Sequence, residues 1–135
     1  MIFKFLLVTL FVNAIAIQVR LDPGQCINKG EKLQSGSGCH KLLMQTDGNL
    51  VLYRKVYTDP RWHTGTSGSC TERACMQEDG NFVTYDCNNK PTWHSGTITN
   101  IKSRLVMQED GNLVIYEGNS NRPRWSSNTV SGTQC

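Results

Sequence analysis

One ten-residue pattern occurs three times in this chain, and nothing else constrains its fold as strongly. Met44-Gln45-Thr46-Asp47-Gly48-Asn49-Leu50-Val51-Leu52-Tyr53 returns as Met76-Gln77-Glu78-Asp79-Gly80-Asn81-Phe82-Val83-Thr84-Tyr85. It returns again as Met107-Gln108-Glu109-Asp110-Gly111-Asn112-Leu113-Val114-Ile115-Tyr116, with the Gln positions 32 and 31 residues apart. A second element keeps step: Trp62-His63-Thr64-Gly65-Thr66, Trp93-His94-Ser95-Gly96-Thr97 and Trp125-Ser126-Ser127-Asn128-Thr129. A fixed period with two matched elements marks a repeat architecture, whose units are too small to bury an apolar face alone. No helical period is visible after residue 20.

Each unit reads as a β-hairpin followed by a third strand. Asp-Gly between two apolar runs is a hairpin signal. A three-residue loop, Thr46-Asp47-Gly48, puts Gly48 in the left-handed conformation that a Cβ disfavours, and it pairs Gln45 with Asn49. Side chains alternate along a strand, so Gln45, Asn49, Val51 and Tyr53 then share one face. Met44, Leu50 and Leu52 take the other. The division repeats at Met76 and Phe82, and at Met107, Leu113 and Ile115. A lone hairpin is marginal in water. Three with apolar faces inward share one core, with Trp62, Trp93 and Trp125 as expected fillers, each burying roughly 150–250 Å². The expected result is an all-β, three-sided prism with pseudo-threefold symmetry. Its repeats span about 34–66, 67–97 and 98–129 within a single domain of residues 17–135.

Composition narrows the function. Of the 135 residues 19% are charged, and the net charge of +3 is too small and dispersed for a nucleic-acid footprint. Met1 to Ala16 have the order of a secretory leader: Lys4, an apolar run from Phe5 to Val12, then small residues at Ala14 and Ala16. That run is too short to span a bilayer, and no second apolar run follows. A secreted, extracellular protein without a membrane span is therefore expected. In the oxidising route Cys26, Cys39, Cys70, Cys75, Cys87 and Cys135 read as disulfides. Six cysteines allow 15 connectivities. Cys70 and Cys87 lie near opposite ends of the second hairpin and form the first pairing to expect. Cys26 with Cys135 could tie the termini, or Cys135 could bridge two chains.

The polar face carries the functional signal. Turn chemistry explains Asp-Gly-Asn, but it does not require Gln and Tyr at the same phase three times. Asp accepts hydrogen bonds, while Asn, Gln and Tyr both donate and accept. Vicinal hydroxyls of a pyranose need such a set, and Val51 between them offers a patch for the sugar's C–H surface. Shallow sites of this kind bind weakly, and several per molecule compensate through effective concentration.

The repeated Gln-x-Asp-x-Asn-x-Val-x-Tyr resembles the mannose-binding signature of the bulb-type (monocot mannose-binding) lectins. The likeness runs from Gln34 to Thr129 and includes the spaced Trp elements. It implies a β-prism II fold of three antiparallel sheets and calcium-independent binding of terminal α-mannose, with no cofactor. In that family the Asp and Asn positions hold the axial O2, the Gln reaches O3, the Tyr hydroxyl reaches O4, and the Val packs on the ring carbons. Carried over, these roles fall on Asp47, Asn49, Gln45, Tyr53 and Val51. In the second unit they fall on Asp79, Asn81, Gln77, Tyr85 and Val83, and in the third on Asp110, Asn112, Gln108, Tyr116 and Val114. The implied partners are mannose-containing glycans and glycoproteins, the implied task agglutination or innate-defence recognition. Members of that family often form homodimers by exchange of C-terminal strands, for which Thr129 to Cys135 is long enough.

Plant members commonly place a Cys between the motif's Asp and Asn in one repeat. Here Gly48, Gly80 and Gly111 stand there, which suggests a branch outside the plants, such as those of fish and invertebrates. Other readings find less support. His40, His63 and His94 lack zinc-like spacing, and Asp47-Gly48-Asn49 lacks the remaining ligands of a calcium loop. No nucleophile motif such as G-x-S-x-G is present, and the three Asp should lie on separate sides, so no enzyme is expected. The runner-up is a secreted protein-binding module, docking on a receptor in defence or venom.

Overall fold

Alternating apolar residues around three tight turns give twelve strands and no helix in the computed structural model, which describes residues 16–132 and 135. The expected leader lies outside the described residues except for Ala16, its last residue. β4 (His40–Met44) and β5 (Leu50–Arg54) form the first hairpin and β6 (Asp59–His63) adds the third strand. β7 (Thr71–Met76), β8 (Phe82–Asp86) and β9 (Pro91–His94) repeat this, as do β10 (Ser103–Met107), β11 (Leu113–Glu117) and β12 (Pro123–Ser126). All pairings are antiparallel.

Each sheet has a fourth strand, which the repeat pattern did not foresee. β1 (Arg20–Leu21) pairs with β10, β2 (Cys26–Asn28) with β7, and β3 (Lys32–Gln34) with β4. One short N-terminal segment thus completes all three sheets in turn. Its sequence signal is the six-residue step of Leu21, Ile27 and Leu33, all fully buried.

The core is layered along the pseudo-threefold axis. Leu21, Ile27 and Leu33 close one end. Leu42, Met44, Ala74, Met76, Leu105 and Met107 come next, followed by Leu50, Leu52, Phe82, Leu113 and Ile115. Removal from water stabilises by about 1.5–3 kcal/mol for each larger side chain. The tryptophans differ from expectation. They do not fill the centre; Trp62, Trp93 and Trp125 are half-buried and close the other end. Their rings meet edge to face with centroids 5.3, 5.6 and 5.8 Å apart. The reason is topological, since all three lie on β6, β9 and β12, each the last strand of its sheet. Thr84 stands where Leu52 and Ile115 stand in the other sheets, and its buried hydroxyl meets that of Thr92 at 2.8 Å.

The disulfides join Cys26 to Cys75, Cys39 to Cys135, and Cys70 to Cys87. The last is the pairing expected from the hairpin. A Cys26–Cys135 link is overturned: Cys26 lies directly across from Cys75 on the neighbouring strand. Cys135 is held within its own chain rather than bridging two. Its partner Cys39 precedes His40, whose buried Nε2 is 3.3 Å from the carbonyl of Gly132. This places the C-terminal tail against the first unit.

Candidate functional site

Each hairpin builds the same outward recess from its own backbone. The Gln45 amide donates to the Asn49 carbonyl, closing the three-residue loop, and Gly48 has φ +89°. A Cβ on Gly48 would lie 2.3 Å from the Ser69 carbonyl oxygen, so glycine is required by conformation and by space. The Asp47 carboxylate caps the turn, accepting from the Asn49 backbone amide at 2.9 Å; Asp79 and Asp110 do the same for Asn81 and Asn112. The Asp47 carbonyl accepts from Gly68, that of Asp79 from Thr99, and that of Asp110 from Ser131. Each loop tip is thereby tied to the chain leaving its unit.

The motif asparagines do structural work through one atom. Oδ1 of Asn49 accepts from the Thr64 hydroxyl and the Thr66 amide, each at 3.2 Å. Oδ1 of Asn81 accepts from Ser95, Gly96 and Thr97, and Oδ1 of Asn112 from Ser127 and Thr129. Among the described residues none of these bonds uses Nδ2. The valines, expected as a surface patch, are nearly buried as the floors of the recesses, with Val51, Val83 and Val114 only 4%, 3% and 3% exposed.

Gln and Tyr form the opposite wall. The ladder to the third strand slips beside Tyr53, Tyr85 and Tyr116 alike. Such bulges re-aim side chains, and each Tyr hydroxyl meets the Gln of its own unit. In the first unit Gln45 Nε2 donates to Tyr53 at 2.6 Å. In the third, Tyr116 donates to Gln108 Oε1, whose Nε2 donates to Asp110 at 3.1 Å. Gln77 fits the third pattern once its amide is turned over, an orientation in which its oxygen accepts from Tyr85 and its nitrogen donates to Asp79 Oδ1 at 3.1 Å. The structure thus brings together all five expected residues in each unit, on three different sheets.

Two sets of neighbours were missed. The first is a cation across from each Tyr, Lys41, Arg73 and Arg104, which keeps the 32- and 31-residue step and was legible in the sequence. Arg73 lies 4.8 Å over the Tyr85 ring and Arg104 5.2 Å over that of Tyr116. The second is the rim position five residues after the Trp. Ser67 donates to Asp47 Oδ2 at 2.9 Å, whereas Ile98 and Val130 are exposed. In the second unit Pro91, His94 and Ile98 help the motif residues enclose a recess of about 400 Å³. His63 and His94 lie on different sheets, exposed beside the recesses. Among the described residues no cluster of three or more His, Cys, Asp or Glu could hold a metal ion, and no helix is long and apolar enough to cross a membrane.

What the geometry offers is a shallow cup with a carboxylate, a primary amide, a Gln–Tyr pair and an apolar floor. No family model matches the chain. Over 60 residues it is 37% identical to the B-type lectin plumieribetin of Scorpaena plumieri, a match covering 44% of this chain and 50% of that relative. The match therefore spans about half the length of that curated relative. Solved structures match more fully. A Marasmius oreades lectin is 32% identical with a TM-score of 0.78, the likeness covering 84% of this chain and 92% of that one. A monomeric monocot mannose-binding lectin from Gastrodia elata is 35% identical with a TM-score of 0.74, covering 84% and 100%. The mannose-specific agglutinin of snowdrop (Galanthus nivalis) bulbs, solved with methyl α-D-mannoside, is 38% identical with a TM-score of 0.68, covering 85% and 100%. With its three four-stranded antiparallel sheets arranged as in these β-prism II proteins, the chain belongs to the bulb-type mannose-binding lectin family.

Proposed function

We propose that this chain is a secreted, calcium-independent lectin that binds terminal α-mannose of mannose-rich glycans at three sites and carries out no chemistry. The observation that carries the reading is the division of labour within each motif Asn. Oδ1 is committed to the fold, which holds the side chain and leaves the Nδ2 donor unspent for a ligand. A donor and a charged acceptor held side by side suit a hydroxyl that must both accept and donate. The Tyr hydroxyl and Gln amide would take the next hydroxyls, and the Val floor the ring carbons. Cups on three sheets face different directions, so one molecule would engage several glycans and agglutinate mannose-rich surfaces, gaining avidity that no single cup supplies. Innate-defence recognition is a task consistent with that behaviour.

The test must separate binding from folding. Alanine at Asn81 would strand the three groups that its Oδ1 satisfies. Asn81→Asp keeps that oxygen and removes the amide donor; Asp79→Asn keeps the turn cap and removes the charge. Each substitution is expected to abolish sugar-induced NMR shifts in the second unit, leave those of the other units, and lower avidity for yeast mannan with an unchanged melting curve. Methyl α-mannoside should displace the protein from mannan, in EDTA as in its absence. Failure to displace, with binding only to glycan-free targets, would replace the lectin reading by a protein-docking one.

A further inference from the structure

We infer that the first unit carries, beside its hexose recess, a subsite for an oxyanion ester on the same glycan, best fitted by a phosphate monoester. This rests on the lectin reading of the recess. The β5–β6 turn is built against backbone preference: Lys55 and Tyr57 have φ of 62° and 56°. The corresponding turns of the other units place Asn89 and Gly118 at positive φ, residue types that tolerate it. What the unfavourable turn achieves is the placement of Tyr57. Its ring stands edge-on to Tyr53, centroids 5.6 Å apart at 84°, and so extends the wall of the recess.

Two ammonium groups converge on that ring. Lys32 Nζ lies 6.0 Å from its centroid and donates to the Tyr57 hydroxyl at 3.3 Å; Lys41 Nζ lies 5.6 Å from the centroid. Lys41 also donates to the Gly38 carbonyl at 2.6 Å. An ammonium has three donors, so each lysine retains two. Neither takes part in any ion pair among the described residues. The other units differ. Arg73 donates to Asn89 Oδ1, and Arg104 to the carbonyls of Gly118 and Ser120, so those cations hold their own turns. Among the described residues, only the first unit therefore combines a sugar cup, an aromatic extension, and two lysines without carboxylate partners. Lysines of this kind bind phosphate as point charges.

The experiment is an NMR titration of the full protein with methyl α-mannoside and with its 6-phosphate and 6-sulfate esters, in low salt. Amide shifts of residues 45–53, 77–85 and 108–116 report each unit separately. One unit charge pair at about 6 Å in water is worth about threefold in affinity, so two lysines predict up to about a tenfold preference of the first unit for a singly charged ester and a larger one for the phosphate dianion. The preference should fall as salt shortens the screening length. A smaller gain with the sulfate ester marks the site as a phosphate site; an equal gain overturns the phosphate assignment and leaves a general oxyanion site. Lys32→Gln plus Lys41→Gln should erase the preference and keep the neutral sugar bound. Lys32→Gln alone, which leaves the Lys41 bond to Gly38 intact, should halve it or more. No preference, an equal preference in all three units, or a preference that survives both substitutions overturns the inference. If the neutral mannoside shifts no unit, the lectin reading fails and the subsite falls with it.

Discussion

The first and third units carry the same five motif residues on the same backbone, yet their polar networks run in different directions. In the first, Ser67 occupies the Asp47 carboxylate, and the Gln45 amide is spent on Tyr53. In the third, Val130 replaces Ser67, the Gln108 amide turns to Asp110, and Tyr116 becomes the donor. A shared motif thus fixes where the groups stand, but residues outside it decide which atoms remain for a ligand. The second unit sides with the third, with Ile98 at the rim and Gln77 bonded to Asp79.

The largest expected effect removes the comparison altogether. Trp93 packs on both Trp62 and Trp125, so Trp93→Ala should damage all three units at once, at a cost of about 3–5 kcal/mol. A urea unfolding curve would show it, and a loss confined to the second sheet would contradict the shared cap. Next comes Asn112→Ala against Asn49→Ala. Each strands the donors its Oδ1 accepts, for about 1–3 kcal/mol by thermal melting. Similar losses in the two would confirm that structural use of Oδ1 is common to the units, whatever their ligand sides do.

Ser67→Val sharpens the contrast directly. It frees Asp47 Oδ2 and should raise the sugar affinity of the first unit about two- to tenfold, as expected for removing one competing hydrogen bond. Site-resolved titration checks it, and an unchanged affinity would make the two units equivalent for binding. The smallest effect is acid loosening of the third unit. The Ser37 side chain and backbone donate to Glu109 and hold its carboxyl below the ordinary range. The unfolded chain therefore takes up that proton first. The stabilisation is complete above the unfolded pKa and is lost as pH falls through the folded one. Thr46 stands at this position in the first unit, so amide exchange at pH 3–5 should rise at residues 107–113 and not at 44–50. Glu109→Gln should remove the difference.

Much of the site was legible because its residues are local. Gln45, Asp47, Asn49 and Tyr53 lie on one hairpin, and strand alternation with one glycine turn places them on one face. The same locality made Cys70–Cys87 readable, since both ends belong to one hairpin. Pairings across the fold were not readable. Cys26 meets Cys75 only because β2 is handed to the second sheet, and Cys39 meets Cys135 only because the tail returns to the first unit. The Trp element was visible, but its position at the end of the prism follows from strand order, which periodicity does not encode. The cations opposite the tyrosines keep the repeat step but stand before the Met that opens the ten-residue pattern, and only the strand pairing brings them to the site.

The sequence by itself determined three hairpins, their inward and outward faces, and the five side chains each presents. These depend on interactions within one hairpin, spanning no more than about 15 residues, where backbone alternation leaves a single answer. Only the tertiary structure decided how the N-terminal segment is divided among three sheets, how the prism is closed at its two ends, and which rim residue faces each carboxylate. Those depend on contacts between residues far apart in the chain, whose partners are chosen by the packing of the whole core and not by any local pattern.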